Sequence, residues 1–160
     1  MGKIKLDEID HQILDMLIDN TRIPFTDIAK KLLISAGTVH VRVKKMEEQG
    51  IIRGSSLILD YKKLGYSFIA YVGLYLNNTS QTKFVIERIN EIAFVTVAHI
   101  TTGKFNIFCK IRARSTEHAK EVIFKLDDIE GVYRTETMIS LEESINDKKR
   151  LMHSIFNEMN

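Results

Sequence analysis

The hydrophobic period changes at Gly50, and a chain that reads as helix before that point and as strand and helix after it must fold in two parts. Up to Gln49 the apolar residues recur at helical spacing, as Ile9, Ile13, Leu14, Leu17 and Ile18, then Ile28, Ala29 and Leu32, then Val39, Val43 and Met46. Asp7 precedes the first run with Asp10 three residues on, a near capping-box arrangement, and the segment from Asn20 to Pro24 breaks the pattern with the chain's only proline. A second helix is predicted from about Thr26 to Leu32. Ser35 suits the N-cap of a third helix, from Ala36 to about Gln49, and Gly50 suits its stop.

Beyond Gly50, residues 51–59 read as two short strands around a Gly-Ser turn, the wing of a winged helix-turn-helix. Residues 60–65 read as a linker. Strands are then predicted at 68–76, 94–101, 105–111 and 132–141, with one helix capped by Ser80 and another by Ser115. The order βαββαβ gives an α+β fold: an N-terminal winged helix-turn-helix (1–59), then a C-terminal ferredoxin-like domain (66–146), then a tail (147–160). Ile145, Met152, Ile155, Phe156 and Met159 predict a partly helical tail packed on its own domain or a neighbour's. The first strand is apolar on both faces. Since helices cover only one face of such a sheet, the other points to a partner subunit.

Charge sharpens the reading of the first part. Residues 1–29 carry three Lys/Arg against six Asp/Glu, whereas residues 30–53 carry six against two. A net charge of only +2 therefore hides a local cationic surface suited to phosphates. On the third helix, Thr38, His40, Val41 and Lys45 lie off the core stripe and are candidates to face base edges in a major groove. Val41 is the informative one, because an exposed apolar residue there suits a thymine methyl. Arg42 and Lys44 are placed for phosphates. Arg42 alternatively pairs with an acid such as Glu47 or Asp27.

Other classes find little support. No uncharged apolar run approaches the roughly 20 residues that span a bilayer, the start lacks a secretory pattern, and the reading is cytoplasmic. One cysteine, Cys109, excludes an internal disulfide and a Cys-rich zinc site. The five histidines show no metal-ligand spacing, Cys109 lies in an apolar strand, and no Gly-x-Ser-x-Gly elbow occurs. Neither catalytic residues, metal nor cofactor are expected.

Three stretches resemble the Lrp/AsnC family of bacterial and archaeal regulators. Leu6-Asp7-Glu8-Ile9-Asp10 resembles the family's entry into helix one. Ile34 to Ile52 is similar to its recognition helix and wing entry. Thr101-Thr102-Gly103-Lys104-Phe105-Asn106 with Thr135-Glu136-Thr137 resembles its two sensor motifs, and His40-Val41-Arg42 with the Thr-Thr-Gly turn looks closest to the asparagine-responsive branch. The resemblance implies double-stranded DNA as partner, homodimers through the C-terminal sheets that assemble to octamers, and an amino-acid effector held between dimers, asparagine favoured. Leu33 stands where many members have Gly, and Asn106 where many have Asp. The implied effector residues are Thr101, Thr102, Gly103, Lys104, Phe105, Asn106, Thr135 and Thr137. Gly103 would bare backbone N–H groups to a carboxylate, and Thr135 and Thr137, on one strand face, would add hydroxyls. A ligand-independent architectural DNA-binding protein of the same fold is the alternative. The βαββαβ order also occurs in RNA-binding domains, but that reading leaves the N-terminal part unexplained.

Overall fold

The structure, a computed structural model, describes residues 5–159. It divides into two compact units, one of residues up to Ile58 together with those from Ile145 onward, the other of Leu59–Ser144.

In the first unit, helix α1 (Glu8–Asp19) opens on a reciprocal cap. The Asp7 carboxylate accepts the Asp10 N–H at 2.9 Å, and the Asp10 carboxylate accepts the Asp7 N–H at 3.1 Å. Helix α2 (Phe25–Leu32) starts directly after Pro24. It ends at Leu33, which takes a left-handed φ of 56° and is 92% exposed. An L-residue in that conformation costs about 1–2 kcal/mol, and here no packing offsets it. The turn therefore adopts the shape a glycine would favour, at the cost of local strain. Helix α3 (Ala36–Glu48) is capped by the Ser35 hydroxyl, which accepts the Thr38 N–H at 3.0 Å. Its end is a Schellman closure: Gly50 has φ 71°, its N–H donates to the Glu47 carbonyl, and the Ile51 N–H donates to the Met46 carbonyl. Val39, Val43 and Met46 bury together with Ile13, Leu14, Ile28 and Ala29.

The two wing strands expected at 51–59 do not form; this stretch has no regular secondary structure. The N–H groups of Ile51 and Ile52 both donate to Met46 at the end of α3, and the two side chains pack on the three-helix core. What remains is too short for a hairpin that is marginal in isolation anyway, and Leu57 and Ile58 stay about three-quarters exposed. The tail does form a helix, α6 (Arg150–Met159), with the Asp147 carboxylate accepting the Lys149 and Arg150 N–H groups ahead of it. It packs on α1: Phe156 is buried, and its ring stacks on His11 with centroids 3.9 Å apart.

In the second unit, a turn closed by Asp60 and Gly65 leads into β1 (Phe68–Leu76). There follow α4 (Thr82–Asn90), β2 (Val95–Ile100), β3 (Ile107–Ala113), α5 (Thr116–Asp127) and β4 (Val132–Ile139). The sheet order is β2-β3-β1-β4 with antiparallel pairs throughout, the ferredoxin-like arrangement. Ser115 caps α5 as expected. Ser80 does not cap α4. It lies inside a 3₁₀ turn, Thr79–Gln81, where the Asn78 carboxamide accepts its N–H. Ala70, Val72 and Leu74 of β1 bury with Ile107, Cys109 and Ile111 of β3 and with Val85, Ile89, Val122 and Leu126 from α4 and α5. The opposite face of β1 carries Tyr71, Gly73 and Tyr75.

Candidate nucleic-acid interface and effector site

On α3 the buried stripe leaves Thr38, His40, Val41, Lys44 and Lys45 exposed, with Val41 66% accessible. The period of 3.6 residues does this: Val39, Val43 and Met46 face inward, so the residues between them turn outward. Ser35 is tied to the helix start, its hydroxyl also lying 2.8 Å from that of Thr38. His40 sits edge-on to Phe25. Lys44 has only a loose partner, Glu48 at 3.9 Å, while Lys45 makes no ion pair among the described residues. A cleft of about 870 Å³ opens beside this surface, lined by Lys5, Ser35, Gly37, Thr38, Val41, Arg42 and Lys45 among others.

Arg42 is a different case. One nitrogen of its guanidinium donates to Asp7 at 2.7 Å and to Asp10 at 2.8 Å, so its acids are those of the α1 cap and not Glu47 or Asp27. Asp10 is nearly buried, its side chain 10% exposed, against 29% for that of Arg42. Burial works to raise the Asp7 carboxyl, but the hydrogen bond from Arg42, the backbone N–H of Asp10 and the guanidinium charge together hold it below its ordinary value. The same two carboxylates raise Arg42. A residue expected at the phosphates thus also ties α3 to the start of α1.

The second unit brings only some of the expected effector residues together. In the loop 101–106, the Asn106 carbonyl accepts the Thr101 N–H at 3.1 Å, and the Thr101 hydroxyl donates to the Phe105 carbonyl. Thr102 and Gly103 are exposed. A Cβ on Gly103 would meet nothing within 4 Å, which leaves its backbone open to an approaching group. The Asn106 carboxamide is already engaged, accepting the Leu76 N–H at 2.9 Å. Phe105 lies over Gly73, where a Cβ would come within 2.5 Å of the ring. That close approach is what the glycine permits.

Thr135 and Thr137 share a face, but it is the helix-covered one, since they pair with Leu74 and Val72. The Thr135 hydroxyl donates to Asp127 of α5 at 2.7 Å. Thr137 lines a small apolar groove of about 220 Å³ beside α5, with Ile123, Phe124 and Ile139. Lys104 and Phe105 lie over the opposite face. Within one chain the two motifs are therefore joined not by their threonines but by Glu136 between them. Its carboxylate accepts from Lys104 Nζ at 2.6 Å and the Tyr75 hydroxyl at 2.9 Å, and it pairs with Arg134 at 2.7 Å. Tyr75, Arg134 and Glu136 do not stand out in the sequence as site residues. Strand alternation is the available signal: Arg134 and Glu136 must face away from Thr135 and Thr137. Cys109 is fully buried in β3, and burial pushes its thiol up to about 12, which leaves it inert.

Comparison with known proteins places both units. Residues 6–53 match the winged helix-turn-helix DNA-binding family, and residues 69–149 match the Lrp/AsnC ligand binding domain. The regulatory protein AsnC of Haemophilus influenzae is 35% identical over 141 residues, spanning 88% of this chain and 94% of that one. The solved structure of Escherichia coli AsnC is 32% identical, with a TM-score of 0.86, and covers 91% of this chain and 98% of its own. A feast or famine regulatory protein from M. tuberculosis, solved in complex with L-methionine, shares the fold at 22% identity and a TM-score of 0.80, covering 90% of this chain and 97% of its own. No helix among the described residues is long and apolar enough to cross a membrane. With its helix-turn-helix, its ferredoxin-like sheet and relatives matched over nearly their full length, this chain belongs to the Lrp/AsnC family of DNA-binding transcriptional regulators, which are not enzymes.

Proposed function

We propose that this chain binds a two-fold-symmetric operator as a homodimer or a higher assembly up to an octamer, and that an amino acid bound at its second unit modulates the binding. Helix α3 enters the major groove. Thr38, His40, Val41 and Lys45 face bases, Lys44 faces phosphate, Ser35 fixes the helix start, and Arg42 meets phosphate with whatever donors its two acids leave free. The observation that carries this reading is the outward array of α3, where an apolar Val41, 66% exposed, stands among cations. Asparagine is the favoured effector, from the likeness to AsnC proteins. The L-methionine complex supports an amino acid more generally.

Binding to an operator selected from random duplex, measured across salt concentrations, tests the interface. Each phosphate that a variant no longer neutralises flattens the slope of log affinity against log salt by about 0.9. Lys44→Ala with Lys45→Ala should flatten it by about 1 to 2. An unchanged slope removes α3 from the interface. Operator binding that is identical with and without every amino acid favours the architectural alternative.

A further inference from the structure

We propose that Glu136 is the receptor for the ammonium group of the effector, and that Lys104 occupies that place until an amino acid displaces it. The inference rests on the amino-acid-sensing reading and specifies its chemistry. Asn106 is poorly suited to the task. It is neutral, and its carboxamide oxygen is held by the Leu76 N–H. One of that oxygen's two lone pairs is thereby taken, and the NH₂ is a donor, which an ammonium cannot use. Glu136 is the carboxylate that reaches the loop. The Tyr75 hydroxyl and Arg134 hold Oε1 at 2.9 and 2.7 Å, which orients the group. Oε2 receives Lys104 Nζ at 2.6 Å.

Lys104 Nζ is itself a primary ammonium, so the position it fills is one that an α-ammonium matches in charge, donor number and size. The exchange is feasible on mobility grounds. The Lys104 side chain is 63% exposed on an irregular loop, whereas Glu136 is 27% exposed and anchored from two other sides. Phe105 adds a ring face 5.3 Å from Lys104 Nζ, a surface that favours cations. Once displaced, Lys104 is free to meet the effector's carboxylate, and Arg134 stands beside it. β4 is an edge strand of the sheet, so Glu136 remains reachable at the rim if a second copy covers the middle. The site thus selects a zwitterion with a free α-ammonium.

The test is calorimetric titration of the full-length protein with the twenty L-amino acids, followed by the α-hydroxy acid counterpart of the tightest binder. We expect at least about a tenfold loss on replacing the ammonium by hydroxyl, and a similar loss for Glu136→Gln, since each change removes one charge and turns an ion pair into a hydrogen bond with a single ionised partner. Glu136→Asp should recover part of the affinity. An α-hydroxy acid that binds as tightly as the amino acid overturns the proposal without recourse to any variant. So does a folded Glu136→Gln protein with unchanged affinity; either result leaves amino-acid sensing intact. If no amino acid binds the wild-type protein, the sensing reading fails and this proposal falls with it.

Discussion

At the scale of single residues, Arg42 has the clearest measurable consequence. It is the one cation facing both carboxylates of the α1 cap among the described residues, and Asp10 is nearly buried. Arg42→Gln leaves that acid without a counter-charge and should cost roughly 2 kcal/mol, below the penalty for a fully buried pair because Asp7 is half exposed. The pH dependence has a definite sign. Asp7 titrates lower in the folded chain than its ordinary 3.8, so the stabilisation it contributes is complete above that value and is lost as pH falls through the folded one. Urea unfolding of the wild type should show this loss below about pH 4, and Arg42→Gln should lack most of it. An equally steep acid limb in the variant would place the coupling elsewhere. The cation was legible in the sequence but its acids were not. Asp27 and Glu47 are nearer along the chain, and only the packing of α3 on α1 brings Asp7 and Asp10 closer in space.

At the scale of elements, legibility followed locality. Ser35, Ser115 and the Asp7–Asp10 box mark helix starts because a cap is made within three residues. β1 reads over its whole length because alternation and apolarity coincide there. Residues 51–59 misled, since a strand-like composition becomes a strand only with a partner, and the N–H groups of Ile51 and Ile52 are claimed by α3. Glu136, although inside the quoted sensor motif, did not stand out as a site residue for a related reason: its partner Tyr75 lies 61 positions away. Helix α6 illustrates dependence on partners most directly. Its ten residues are fewer than the roughly 12–15 at which a free helix becomes even marginal, so docking must hold it. Phe156 buries against His11, Lys149 reaches Asp15 at 3.0 Å and Asp19 at 2.6 Å, and His153 lies 2.7 Å from Asp15. Phe156→Ala removes the buried anchor, a change worth about 3 kcal/mol or more in a core. Amide exchange over residues 150–159 should then become fast while β1 and β3 keep their protection. Retained protection in α6 would mean that its polar partners suffice.

At the scale of the whole molecule, the sheet poses the remaining question of energetics. α4 and α5 cover one face; on the other, Tyr71 stacks on Phe108, Phe108 on Phe105, and Phe105 meets Tyr75, with centroids 5.3 to 5.7 Å apart. Such a run of rings is costly to leave in water and rare on a monomer. The cations flanking it, Lys104 over Phe105 and Lys110 over Tyr71, soften that cost without covering the rings. A second copy presenting the same array in two-fold symmetry would bury both at once, because a two-fold interface meets itself. It would also supply two recognition helices for a symmetric operator, so assembly and DNA affinity should fail together. Phe108→Asp puts an unpaired carboxylate in the middle of the array, and burying it in an interface costs several kcal/mol, whereas a free subunit keeps it hydrated. The variant should sediment as a folded monomer and bind a full operator little better than a half-site. If it sediments with the wild-type assembly, copies meet through another surface, and the aromatic face needs a different occupant.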